Sequence, residues 1–513
     1  MSIRPWHEYE IILTSSQDLA NPYTDVEVTV EYVHESGLTL QRPAFWDGGR
    51  IWKARFASPG MPGEWTWRSR SIPQVNGLDH QTGEFSCRPA TNPPNRFYRH
   101  GFWRMSPGGR SLVHADGTAA ILAADTAWGL PWRATVEQCR IYAADRRAKG
   151  FNGVLLMSVQ PDMHARGPRN RSADEGFDVG FEDLQDGHLN RLNPAYFQYF
   201  DRLIDVLIAH EIVPIYQPVF MGFGWKGLEV AGPVVPPQEY ARYCRYLVAR
   251  YGARPALYLV GGDGSGYEAQ VPAGGEEIER QDAYRQPTGI HYRPHADNRA
   301  HQDADWLDFQ WCQTGHSGEH IPERVMDMWR NTPVKGVANG EPSYENTGVP
   351  GLAAGWWQGH EAWSNLCAGG TMGVFYGAAG LWQWRLHSDE PGHAEYFLAE
   401  GAGWREALDY GGSAYVGMVA RILDGLPTTD MAPNWQVSLG RRGLLTPGVL
   451  YIGYLAAGGP MKIFADGEVP LPYRVYDPLT GEVIRQGVRA APDDWIPDDG
   501  GGPRVYICYA EWL

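Results

Sequence analysis

Between residues 96 and 425 the chain repeats one pattern: a short apolar run, then in most cases an amphipathic stretch with helical spacing. The runs fall at 120–124, 153–157, 212–216, 256–260, 288–292, 307–311, 334–338 and 372–376. Unbroken apolar runs of this length suit strands buried on both faces, and helices between them make neighbouring strands parallel. The amphipathic stretches are clearest at 136–149, 194–210 and 238–251. In the second, Phe197, Phe200, Leu203, Ile204, Leu207 and Ile208 recur at helical spacing. Eight strands in series with intervening helices predict an α/β fold, a (β/α)8 TIM barrel with long loops. The structural alternative, a doubly wound sheet, would carry a Gly-rich phosphate turn after its first strand. Here the first run leads into Asp125-Thr126-Ala127-Trp128 instead.

The flanks read differently. Residues 1–92 show short alternating runs, such as 26–33, broken by the turn signals Asp47-Gly48-Gly49, Pro59-Gly60 and Pro62-Gly63. This predicts an N-terminal β-sandwich. Residues 429–513 return to short strands at 450–454, 473–476 and 505–508, which predicts a small C-terminal β-sandwich. The barrel is expected over 93–428.

Composition narrows the function classes. Lys and Arg number 44 against 60 Asp and Glu, a net charge of −16. An acidic surface repels phosphate backbones, so nucleic acid is not an expected partner. No run reaches membrane-spanning length. The opening MSIRPWHEYE lacks the apolar core of a secretory signal, so a cytoplasmic protein is expected. Six scattered cysteines form no CxxC pair and suggest neither a disulfide framework nor zinc. Aromatic residues reach 12%, with 21 Trp and 27 Tyr. Flat aromatic faces stack on sugar rings, which gives such an excess a use beyond core filling.

In a barrel, chemistry gathers at the C-terminal ends of the strands. The polar residues at or near those ends are Asp125 with Trp128, Gln160 (with Asn152 ahead of its strand), Gln217, Asp263, His291 and His295, Gln313 and His316, Glu341, and Tyr376 with Trp382 and Trp384. Lys and Arg are nearly absent from this ring, which argues against a phosphorylated substrate. Amides, carboxylates and indoles suit a neutral polyol. Asp263 and Glu341, on the fourth and seventh strands, are the two carboxyl groups that glycosidic cleavage requires, one protonated and one ionised. Glu345 is a rival in the same loop. Trp382 and Trp384 alternate, so one is expected to face the barrel interior and the other the helices. No clustered ligand spacing supports a metal, and no cofactor is implied. Two rival readings are a non-catalytic carbohydrate-binding protein and a metal-dependent sugar isomerase using His291 and His295.

The motifs Asp125-Thr126-Ala127-Trp128, Ala148-Lys149-Gly150-Phe151-Asn152, Gly261-Gly262-Asp263, Gln313-Thr314-Gly315-His316, Gly340-Glu341-Pro342-Ser343-Tyr344-Glu345 and Leu381-Trp382-Gln383-Trp384 occur in one order. In these the chain resembles the apiosidase-like glycoside hydrolases. The resemblance implies a β/α barrel hydrolase with Asp263 as general acid/base and Glu341 as nucleophile, acting with retention on an oligosaccharide or glycoside. Self-association into a homo-oligomer is left open. The chain departs from the family where Gly264-Ser265-Gly266 follows Asp263 and where His360-Glu361-Ala362-Trp363 precedes the eighth strand; both positions often carry Arg. The insertion 160–192 departs in length and composition. Apiose specificity is therefore not part of the expectation.

Overall fold

A computed structural model of the chain describes residues 2–89, 91–164, 179–222, 229–316, 321–347, 355–388, 402–435, 443–463, 470–491, 494–498 and 500–512. The middle of the chain is the expected barrel. Its parallel strands are β1 (Ala123–Thr126), β2 (Gly153–Met157), β3 (Val213–Gln217), β4 (Leu257–Gly264), β5 (Thr288–Tyr292), β6 (Phe309–Gln313), β7 (Gly336–Glu341) and β8 (Val374–Tyr376). Each hydrogen-bonds to the next from β1 to β7, β8 pairs with β1, and β7 and β8 pack side by side where the ring closes.

The helical layer comprises α1 (Val136–Lys149), α2 (Pro194–Ala209), α3 (Pro237–Tyr251), α4 (Gln270–Gln281), α5 (Glu323–Trp329), α6 (Trp356–Cys367) and α7 (Gly411–Leu423). Local chemistry sets their ends. Thr135 and Gln138 form a capping box at the start of α1, and Gly150 in the left-handed region (φ +104°) ends it. β5 is followed by irregular turns over 293–308 in place of a helix.

The pleat of the strands divides two cores. Ala124, Leu155, Ile215, Leu259, Trp311 and Phe375 fill the barrel interior. Ala123, Leu156, Tyr216, Val260, Ile290 and Tyr376 face the helices. Several strand assignments shift, among them β6, which spans Phe309–Gln313 rather than 307–311. Residues 119–120 pair with Leu112–His114 in a small antiparallel sheet rather than opening β1. β7 begins at Gly336, not 334, and extends to Glu341.

The N-terminal region is a sandwich of a five-stranded and a three-stranded sheet, with Val30, Tyr32, Phe56, Trp65 and Phe85 between them. It is joined to the barrel by buried arginines. Arg55 reaches Asp201 of α2 (2.7 Å) and the Arg250 carbonyl (2.8 Å), while Arg250 of α3 binds the same Asp201 through two nitrogens (2.8 Å each). At the other end, the described C-terminal strands form one six-stranded antiparallel sheet. One face, with Leu450, Ile452, Tyr454, Val505 and Ile507, joins the helical core. Tyr454 stacks over Trp363 of α6. Met461, Ile463 and Ile496 pack in the cluster on the other face, with Tyr451, Tyr473 and Val475.

Asp201 joins two buried guanidinium groups that have left water. Removing one partner of such a pair strands charge in the interior. Asp201→Ala is expected to lower unfolding stability by about 3 kcal/mol, read as a loss in denaturant midpoint with the far-UV spectrum retained.

Candidate active site

The two carboxyl groups expected to act together do converge. Donor atoms of Asp263, His291 and Glu341 all lie within 4.8 Å of one another, at the C-terminal ends of β4, β5 and β7. Both carboxyl groups are placed by departures from regular pairing. The β4–β5 register shifts on either side of Gly261–Gly262, and Asp263 sits in the left-handed region at φ +58°. The β6–β7 register shifts just before the Gln313–Glu341 pair. Such irregularities re-aim a side chain at a strand end. Gly262 is needed for a second reason: any Cβ there would collide with the Gln217 amide.

Gln313 of β6 bridges the pair. Its amide nitrogen donates to Asp263 Oδ1 and to Glu341 Oε2 (3.1 Å). His316 supplies a further donor to Glu341. The Tyr344 backbone N–H donates to His316 Nδ1 (3.2 Å), which leaves the ring proton on Nε2, and Nε2 donates to Glu341 Oε1 (3.0 Å). His291 stands between the carboxyl groups, with Nδ1 3.6 Å from Asp263 and Nε2 3.7 Å from Glu341. Its ring is fully buried, lies nearly parallel to Trp128, and makes no hydrogen bond at either nitrogen.

These surroundings separate the two acids. Burial, then the charge of Glu341, push the Asp263 carboxyl well above the usual carboxylate range. Burial would raise Glu341 too, but the hydrogen bond from His316 leads the influences that hold it below its ordinary value. Burial lowers His291 to about 4, against the pull of Glu341. The surroundings thus favour the proton on Asp263 and the charge on Glu341, with His291 neutral at neutral pH.

Asp263, His291 and Glu341 are also the one set among the described residues whose donor atoms could hold a metal. The Gln313 N–H, however, points at both carboxylates. A hydrogen-bond donor thus bridges the two oxygens that a cation would need.

The remaining expected site residues divide by strand parity and by barrel end. Gln217 faces inward, donating to the Gly262 carbonyl (3.3 Å) with its own oxygen unpaired, and the buried Gln160 amide has no protein partner at either atom. Trp382 packs partly exposed against the interior cluster that includes Trp128. His295 is exposed on the loop after β5.

Asp125, Tyr376 and Asn152 correct the sequence reading, and Trp384 is the helix-facing member that the Trp382–Trp384 alternation called for. Asp125 follows the inward Ala124, so it points to the helices, where its carboxylate takes Arg146 Nε (2.5 Å) and the Tyr142 hydroxyl (3.0 Å). Tyr376 follows the inward Phe375 and donates to Glu345 (2.6 Å). Glu345 also accepts from the Gly412 N–H (2.9 Å), so its carboxyl is turned into the helical shell. Trp384 faces the helices, with its indole N–H on Gln138 (3.0 Å) and its ring stacked on Trp404. Asn152 precedes β2 and pairs with backbone at 121 and 123 at the opposite, N-terminal end of the barrel. There it lines a cavity of about 290 Å³ edged by the Arg96–Asp424 ion pair.

Sequence reasoning missed Tyr344 and Glu361. Tyr344 fixes His316 through its backbone, and its ring lies 4.3 Å from the imidazole. Glu361 of α6 accepts from Ser343 N (3.0 Å) and Oγ (3.2 Å), bracing the loop after Glu341. Burial raises its carboxyl to about 8. Ser343 and Tyr344 lie within the Gly340–Glu345 motif, so Tyr344 was available as a signal. Glu361 carried none, because only the packing of α6 brings it to that loop.

A parallel barrel with a close pair of unlike carboxyl groups at its C-terminal mouth is the architecture of a glycoside hydrolase. The family described as Apiosidase-like, catalytic domain, matches residues 106–430, and a domain of unknown function, DUF5060, matches residues 2–72. The chain belongs to the apiosidase-like family and is a glycosidase. Solved structures share the fold. A protein named glycoside hydrolase is 18% identical, with a TM-score of 0.67 over 81% of this chain and 98% of its own. A glycoside hydrolase family 5 structure from Bacteroides vulgatus ATCC 8482 is 19% identical, with a TM-score of 0.66 over 81% of this chain and 95% of its own. A third, also from Bacteroides vulgatus ATCC 8482 and provisionally named a glycoside hydrolase, is 15% identical, with a TM-score of 0.73 over 99% of both chains. No curated protein matches the sequence. Among the described residues no helix is long and apolar enough to cross a membrane.

The His316 hydrogen bond favours the ionised form of Glu341. His316→Ala removes it, so Glu341 takes up a proton at higher pH. The acid limb of the kcat/KM profile is expected to move up by about one pH unit, the equivalent of one charge-assisted hydrogen bond.

Proposed function

We propose that the chain hydrolyses a glycosidic bond of a neutral oligosaccharide or glycoside with retention, Asp263 acting as acid/base and Glu341 as nucleophile. The observation that carries this reading is that one carboxyl oxygen of Asp263 and one of Glu341 lie within 4.8 Å of each other. Retaining enzymes hold the pair about 5–5.5 Å apart, whereas inversion needs about 6.5–9.5 Å to admit a water. The opposed shifts of the two acids fit the same roles: the proton sits on the group that must donate it, and the charge on the group that must attack.

In the first step Glu341 attacks the anomeric carbon while Asp263 passes its proton to the glycosidic oxygen, and the leaving group departs as an alcohol. In the second, Asp263, now a carboxylate, takes a proton from water, and the resulting hydroxide displaces Glu341 from the glycosyl ester. Both carboxyl groups return to their starting states. The buried polar atoms of Gln160, Gln217 and His291 that lack protein partners support a hydroxyl-rich substrate, since buried polar groups ordinarily find one. Retention requires no metal in these steps, and no step is assigned to one.

Glu341→Gln keeps the shape and removes the nucleophile. A loss of kcat of about 10³-fold or more is expected, with an unchanged melting profile; near-normal turnover by the folded variant would sink the assignment.

Asp263→Ala is expected to abolish turnover of substrates with poor leaving groups while sparing acidic phenols, which leave without a proton. Added azide should then restore the second step by replacing the activated water. A phenol series, with and without azide, checks this; uniform damage with no azide effect would mean that Asp263 only orients the sugar.

A further inference from the structure

The turn that follows Asp263 is stiffer than its glycines suggest. The Glu268 carboxylate accepts from Ser265 N (2.7 Å), Ser265 Oγ (2.8 Å) and Gly266 N (2.9 Å), which ties residues 264–268 into one unit. Gly266, at φ +86°, fits so closely that a Cβ would lie 2.7 Å from Ala300 and 2.8 Å from the Tyr292 ring. The loop after β5 is sewn to this turn. Arg293 N donates to the Gly264 carbonyl (2.9 Å), and the Tyr292 hydroxyl donates to the Ala300 carbonyl (3.1 Å).

On this rim stands Tyr267, 60% exposed. Its hydroxyl donates to Asp297 Oδ2 (3.1 Å), and the His301 ring lies 6.3 Å away. Single exposed apolar residues are common and need no explanation. This one differs in being held at both ends, by the tied turn and by Asp297. Fixing an aromatic ring in water costs conformational entropy without burying it. A fixed, open ring is what a stacking partner requires.

We propose that Tyr267 is the platform of a subsite on the leaving-group side, where the ring of a neutral sugar unit stacks by its apolar C–H face. The inference rests on the reading above. Asp263 hands its proton to the glycosidic oxygen, so the leaving group lies on the Asp263 side of the bond, over β4 and β5. Glu341 approaches from β7, on the other side. Tyr267 is four residues beyond Asp263 on that same loop, and no helix caps the neighbouring loop after β5. A neutral stacking surface there suits an uncharged acceptor sugar.

The test compares substrates that share a glycone and differ in what leaves. Glycosyl fluorides of pentoses and hexoses release an ion with no ring to stack; oligosaccharides release a sugar. Tyr267→Ala is expected to lower the ratio of kcat/KM for oligosaccharide over fluoride at least tenfold, and Tyr267→Trp to restore it. An unchanged ratio overturns the platform. Binding gives a second readout that needs no turnover. In saturation-transfer NMR on the full-chain E341Q variant with neutral disaccharides, the leaving-end ring should lose its signal when Tyr267→Ala is added. Signals that persist overturn the proposal. Failure of the underlying reading has a different signature, namely E341Q still releasing fluoride.

Discussion

Two buried carboxyl groups with oxygens within 4.8 Å oppose each other's ionisation. That constraint organises the mouth of the barrel. It favours one proton on the pair, and the surroundings decide where. Glu341 is given the donors: Gln313, and His316 with its tautomer set by a backbone N–H. Asp263 has the single amide of Gln313. The imbalance favours the proton on Asp263. An ion pair there would have fixed both groups in one charge state, whereas a chemical cycle needs each to change.

The barrel can hold such a pair because its shell is tied down elsewhere. The Asp125–Arg146 pair, with Tyr142, lies between β1 and α1. Tyr376 and Glu345 continue it toward α7. On the neighbouring helices Asp201 locks the sandwich to α2 and α3 through Arg55 and Arg250. These are costly buried charges, each compensated by close partners. They lie outside the ring of strands, and the unpaired polar atoms of Gln160, Gln217 and His291 lie at the strand ends. The charged pairs brace the shell, while Gln160, Gln217 and His291 keep polar atoms at the strand ends that a ligand could satisfy.

Much of this was legible in the residues. Eight apolar runs gave eight strands, and the helices 136–149, 194–210 and 238–251 matched within a residue or two. Asp263, Glu341, Gln313, His316 and His291 were all recognisable as strand-end polar groups, and they cluster. The misplacements share one cause. A residue at a strand end faces the barrel or the helices according to a period of two. Asp125 and Tyr376 fall one residue out of phase with the inward Ala124 and Phe375, a signal the sequence contains. Asn152 sits before its strand rather than after it, which puts it at the wrong end of the barrel.

The sequence by itself determined the strands and helices, the acidic and aromatic character, and the short list of polar groups at the barrel mouth, because periodicity and composition are local properties. Only the tertiary structure decided the separation of Asp263 and Glu341. That distance depends on two register shifts, a left-handed Asp263 and the closing of a ring 78 residues apart in sequence (341 − 263). Which carboxyl keeps the proton came only from the resemblance, not from the residues themselves. It follows from burial and from donors that β6 and the loop after β7 bring together, and neither exists until the strands are in register.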